Sequence, residues 1–144
     1  MTGEEMRRQP IHVLLVDDEV GYVNVLANRM TKRGLLVEKA TSGAEAIQAV
    51  RRRDFDVAIL DLKMEDMDGI EVLRILKKMD QRMEVIMLTG HGSQAAARDG
   101  IKYGAFDYLL KPCELEDLLD KINQAYRARL SRTPSAAALE KKQD

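Results

Sequence analysis

A chain of 144 residues has the length of one domain, and with 45% hydrophobic residues it can bury a single sizeable core. Its 23 Lys and Arg oppose 24 Asp and Glu, and a formal net charge of -1 provides no overall field for nucleic acid or an anionic membrane. A lone cysteine, Cys113, excludes an internal disulfide framework, and neither a signal peptide nor an apolar run of about 20 residues is present, so the expected setting is soluble, reducing and cytoplasmic.

Residues 1–10 read as an N-terminal extension. The first predicted strand is IHVLLV from Ile11, which runs into Asp17 and Asp18. Val23, Leu26, Ala27 and Met30 then recur at helical spacing, and Gly34 is placed to close that helix. LLVEKA from Leu35 is the second strand. Ser42 with Glu45 three residues later forms a capping-box sequence ahead of Ala46, Ala49 and Val50. The basic run Arg51, Arg52 and Arg53 falls in the last turn of this second helix, where cations meet the dipole; without an aromatic stacking set it reads as a solvated face.

DVAIL from Asp56 is the third strand and delivers Asp61. Val72, Ile75, Leu76 and Met79 give the third helix its apolar face, with Asp66, Asp68 and Gly69 as the cap and turn that enter it. A calcium loop would need an acid at Met64 and a Glu at Ile75, so that reading fails. EVIML from Glu84 is the fourth strand and leads to Thr89. Residues 93–104 offer Ala97 and Ile101 as periodic anchors between Gly92, Gly100 and Gly104, which makes the fourth helix the weakly held one. FDYLL from Phe106 leads to Lys111 and Pro112, and Leu115, Leu118, Leu119 and Ile122 mark the last helix. Residues 131–144, SRTPSAAALEKKQD, read as a polar C-terminal tail or the start of a linker.

The strands begin 21–28 residues apart, too far for hairpins and right for a strand plus a crossover helix. Uniformly apolar runs are expected where helices cover both faces. The fold class is therefore α/β, a (βα)5 doubly wound five-stranded parallel sheet with its ligand site beyond the carboxyl ends of the strands. Asp17, Asp18, Asp61, Thr89 and Lys111 all fall at that edge. Singly, each is bland: an acid pair is a strand end or cap, Thr89-Gly90 a turn, Lys111-Pro112 a loop. Together, three carboxylates repel one another unless a cation neutralises them, and oxygen ligands favour Mg²⁺, with Mn²⁺ as a substitute. A carboxylate is also a competent nucleophile for a phosphoryl group, while an ammonium and a hydroxyl offset charge on its oxygens. Asp61, Lys111 and Thr89 match those jobs.

The segments VDDE, ILDLKMEDMDGIEVL, MLTGHGS and FDYLLKP resemble, over about residues 11–130, the CheY-like receiver domains of two-component response regulators. The resemblance implies a flavodoxin-like sheet of order 2-1-3-4-5 and a phosphoacceptor at Asp61. It implies Mg²⁺ on Asp18, Asp61 and the backbone carbonyl of Lys63, with Asp17 acting through a coordinated water. Lys111 would pair with the phosphate, Thr89 would swing toward it, Tyr108 would rotate inward, and the Lys111-Pro112 bond would be cis. The donor would be a sensor histidine kinase or phosphotransfer protein. The face of helix four, strand five and helix five would bind an output partner or a second copy in a homodimer. No direct contact with nucleic acid or membrane is implied. Glu65 departs from the family by standing where proline is usual, and Lys63 and His91 occupy the positions that tune dephosphorylation.

Three other functions compete. A phosphatase of the haloacid dehalogenase type also forms an aspartyl phosphate, but carries its nucleophile on the first strand and an acid two residues later, where this chain has Lys63. The expectation is thus no enzyme beyond self-phosphorylation and self-dephosphorylation at Asp61. A phosphorylation-independent scaffold has no need of the full acid, hydroxyl and lysine set. Nucleotide binding lacks its glycine-rich loop after strand one.

Overall fold

The computed structural model describes residues 9–90 and 92–132. Among them, β1 (His12–Val16), α1 (Val20–Lys32), β2 (Leu36–Ala40), α2 (Gly43–Arg52), β3 (Val57–Asp61), α3 (Gly69–Met79), β4 (Glu84–Thr89), α4 (Gln94–Lys102), β5 (Asp107–Leu110) and α5 (Leu115–Ser131) follow one another. All strand pairs are parallel, in the order β2-β1-β3-β4-β5. The winding direction reverses between β1 and β3, which opens a crevice at their carboxyl ends.

Alternation along the central strands feeds two cores. Leu14, Val16, Ala58, Leu60, Val85 and Met87 meet α2, α3 and α4 on one face, while Val13, Leu15, Val57, Ile59, Ile86 and Leu88 meet α1 and α5 on the other. β3 and β4 are buried throughout, but the edge strands β2 and β5 are half-exposed, so the expectation of covered strands holds for the centre of the sheet. Among the described residues no helix is long and apolar enough to cross a membrane.

Local chemistry sets the helix ends. At the close of α1, Gly34 at φ 93° donates its N–H to Thr31 O (3.0 Å) and Leu35 donates to Met30 O (3.3 Å), the paired bonds of a Schellman turn. Ser42 caps α2 by accepting the Glu45 N–H at 3.0 Å, and the Glu45 carboxylate reaches back to the Thr41 N–H at 3.1 Å. Arg52 and Arg53 each lie 3.5 Å from Glu38 of β2, in keeping with a solvated basic run.

Two helix faces differ from expectation. α3 buries Val72, Leu73 and Leu76, while Met79, the last residue of the helix, is 38% exposed. α4 buries Ala97 and Gly100, and Ile101 is 41% exposed: the helix approaches Met87 through the glycine, not through the larger side chain. At the amino ends of the strands, Arg129 of α5 pairs with Asp56 at 3.0 Å, and Arg132 lies 2.6 Å from the buried Glu84, with no N–H aligned on its oxygens. These pairs pin the end of α5 far from the crevice.

Candidate functional site

Four strand ends deliver the site. Beyond β1, Asp17 continues the ladder by donating its N–H to Ala40 O at 3.1 Å; its side chain is fully buried, whereas Asp18 is half-buried. Asp61 and Thr89 are the last residues of β3 and β4, both buried, and Lys111 follows β5 with its N–H on Thr89 O at 2.7 Å. Carboxylate oxygens of Asp17, Asp18 and Asp61 lie within 4.8 Å of one another. Lys111 Nζ is 2.5 Å from Asp17 Oδ2 and 3.7 Å from Asp61 Oδ2, over the Tyr22 ring at 4.6 Å from its centroid. Three further oxygens meet backbone donors: Asp17 Oδ1 takes the Glu19 N–H (3.0 Å), Asp18 Oδ2 the Glu65 N–H (3.1 Å) and Asp61 Oδ1 the Lys63 N–H (3.3 Å). Thr89 Oγ1 donates to the neighbouring Gly90 O at 3.2 Å.

Three carboxylates face one ammonium here, and the imbalance is felt at Asp61. Burial first, then the Asp17 charge, raises its pKa from 3.8 to about 6, against the pull of Lys111 and the Lys63 N–H. At Lys111 burial disfavours the ammonium, but the Asp17 bond and the Asp61 and Asp17 charges outweigh it, and the pKa rises. A crevice with excess negative charge, oxygen donors alone and two buried carboxylates fits a hard divalent cation.

The loop from Leu62 to Gly69 borders the site and closes on itself, with Gly69 N–H on Leu62 O at 3.2 Å. A Cβ on Gly69 would stand 2.5 Å from Leu62 Cα, so only glycine fits. Asp68 caps α3 through the Ile70 N–H at 2.9 Å, as expected. Asp66 does not cap α3: its two oxygens accept the Gly43 N–H (3.0 Å) and the Ala44 N–H (3.1 Å) at the start of α2. The Gly43 bond comes first among the causes that hold its carboxyl below the usual range. The sequence places Asp66 three residues before α3, but folding brings the start of α2 to the same sheet edge.

Of the other expected residues, Tyr108 is half-buried on β5 against the α2, α3 and α4 core, and the Lys63 side chain is exposed beside the site. The Lys111-Pro112 bond is cis. His91 lies outside the described residues. Sequence reasoning missed Tyr22, whose ring supports Lys111; an aromatic in the first turn of α1, just past the acid pair, was the available signal. It also missed the Glu65 N–H on Asp18, a contact across the crevice that no spacing reveals.

Residues 13–123 match the family model of the response regulator receiver domain. Over 120 residues, 83% of its length, the chain is 38% identical to the transcriptional regulatory protein GlrR of Escherichia coli (strain K12), of which it spans 27%. A solved response regulator receiver domain from Clostridium thermocellum shares 34% identity at a TM-score of 0.82, covering 85% of this chain and 99% of that one. A CheY-like receiver domain from Methanospirillum hungatei JF-1 gives a TM-score of 0.82 at 28% identity, covering 87% and 100%.

Proposed function

This chain belongs to the response regulator receiver domains, the phosphoacceptor switches of two-component systems, and from that premise we propose that Asp61 is the residue that accepts the phosphoryl group. The observation that carries the assignment is the place of Asp61 at the end of β3, within reach of two further carboxylates and 3.7 Å from Lys111 Nζ. An Asp61 oxygen forms the new O–P bond as the N–P bond of a phosphohistidine breaks, and the departing imidazole nitrogen keeps the electron pair and takes up a proton. Lys111, positioned by Asp17 and Tyr22, pairs with an oxygen of the transferred group. The Thr89 hydroxyl exchanges its 3.2 Å bond to Gly90 O for a phosphoryl oxygen.

Asp17, Asp18 and Asp61, with the backbone carbonyl of Lys63, would hold Mg²⁺ or, in its place, Mn²⁺. Bound there, the cation offsets charge on the phosphoryl oxygens. Thr89 and Tyr108 convert phosphorylation into a population shift of the face formed by α4, β5 and α5, to which an output partner or a second copy binds. The donor is a sensor histidine kinase or phosphotransfer protein, in a cytoplasmic setting where Cys113 stays a thiol. The position two residues after Asp61, where phosphatases of the haloacid dehalogenase type carry a carboxylic acid, holds Lys63, and on this reading chemistry is confined to phosphorylation and dephosphorylation of Asp61 itself.

The test is phosphorylation with phosphoramidate, a minimal N–P donor, in Mg²⁺, followed by hydroxylamine trapping of acyl phosphate and peptide mapping. A hydroxamate at Asp61 is expected. Modification at another residue, or none in folded protein, would overturn the assignment.

A further inference from the structure

We propose that Asp66, which belongs to none of the groups assigned above, is a positioning residue for the cation site and acts through the loop between β3 and α3. The inference rests on the reading of Asp17, Asp18 and Asp61 as that site.

The loop is held at three points. Its base is closed by the Gly69–Leu62 bond, with no room there for a side chain. One side reaches the site, where the Glu65 N–H donates to Asp18 Oδ2 at 3.1 Å. Next to it, the Asp66 carboxylate spans the Gly43 and Ala44 N–H groups, two of the donors that the first turn of α2 cannot satisfy internally. The same helix start packs on the loop: Gly43 is buried, and a Cβ there would stand 2.9 Å from Met67 Sδ and from Val72 Cγ2. The Asp66 carboxylate and the Met67 side chain, the two residues that follow Glu65, thus seat the loop on the start of α2, one by hydrogen bonds and the other by packing.

That seating matters because Asp18 takes its hydrogen bond from a backbone amide, whose position is set by the loop. Proline in place of Glu65, the usual residue of the family, has no N–H to give. In this chain the orientation of Asp18 therefore depends on a main-chain donor whose neighbour is anchored to α2. Groups that orient a metal-binding carboxylate from outside change metal affinity by about 10-fold to 100-fold when removed.

The experiment is calorimetric titration of the full chain with MgCl₂, for wild type, Asp66→Ala and Asp66→Asn, at a temperature where circular dichroism shows each to be folded. Asp66→Ala is expected to bind Mg²⁺ about 10-fold more weakly than wild type. Asp66→Asn lacks the charge but retains an acceptor oxygen for α2, and is expected to recover most of the loss. Equal affinity in Asp66→Ala, with only a lower melting temperature, would reduce Asp66 to a helix cap and overturn the inference alone. An Asn variant as weak as the Ala variant would overturn it too, by assigning the effect to long-range charge. No Mg²⁺ binding by the wild type would overturn the cation site and the inference together.

Discussion

At Asp61, burial and the charge of Asp17 make the ionised form costly, and the consequence is measurable without any phosphoryl donor. The folded-state value of about 6 lies above the ordinary 3.8, so the folded protein binds the proton more tightly than the unfolded chain between those limits. Above about 6 the ionised carboxylate destabilises the cation-free protein in full; as pH falls toward 4 the penalty is lost. Asp61→Asn is therefore expected to stabilise the cation-free protein at pH 7.5 by about 1–2 kcal/mol, after allowance for solvent at the crevice, with the gain shrinking by pH 4.5. Thermal melts across that range check the sign, and a gain that grows on acidification would contradict it. Lys63 makes a second prediction. If its exposed ammonium shields the acyl phosphate from water, Lys63→Ala should shorten the phosphoryl lifetime several-fold in a dephosphorylation time course; an unchanged rate would remove that role. The acids, Thr89 and Lys111 were legible in the sequence because each ends a strand in a fold that gathers strand ends. Tyr22, Asp66 and the Glu65 N–H were not, because their roles depend on neighbours brought together from other elements.

Elements differ in how firmly they are held. α1 buries Val23, Leu26, Ala27 and Met30, whereas α4 is anchored by Ala97 and Gly100. Amides of α4 should therefore exchange with solvent sooner than those of α1 or α5 in native-state hydrogen exchange; equal protection would show that α4 opens only with the whole domain. The loop after β3 is the opposite case. Gly69→Ala forces a Cβ to 2.5 Å from Leu62 Cα, where backbone must move, and is expected to cost about 2–3 kcal/mol in urea unfolding. Gly21→Ala is the control: nothing lies within 4 Å of that Cβ, and the substitution in α1 should stabilise by about 0.5–1 kcal/mol. Helix existence was readable from apolar periodicity, but which residue of a turn faces the core was less so. Leu73 displaced Met79 in α3 and Gly100 displaced Ile101 in α4, since the fit against Met87 and the sheet decides such choices and periodicity is blind to it.

For the whole molecule, strand spacing and apolar runs were enough to give a parallel, doubly wound sheet, and the family resemblance supplied its order. The ion pairs that tie Arg129 to Asp56 and Arg132 to Glu84 were not legible, because they join α5 to strand starts distant in the chain. The fold thus has a pinned end at the strand starts and a charged end at the crevice, with the lightly held α4 beside it. That division suits the proposed switch, in which a group added to Asp61 would redistribute conformations of the α4, β5 and α5 face. The most direct measurement is intact mass after incubation with acetyl phosphate, with and without Mg²⁺, for wild type and Asp61→Asn. One added phosphoryl group that requires both Mg²⁺ and Asp61 is the predicted result. Folded wild-type protein that gains none, or an Asp61→Asn variant that gains as much, would contradict the account.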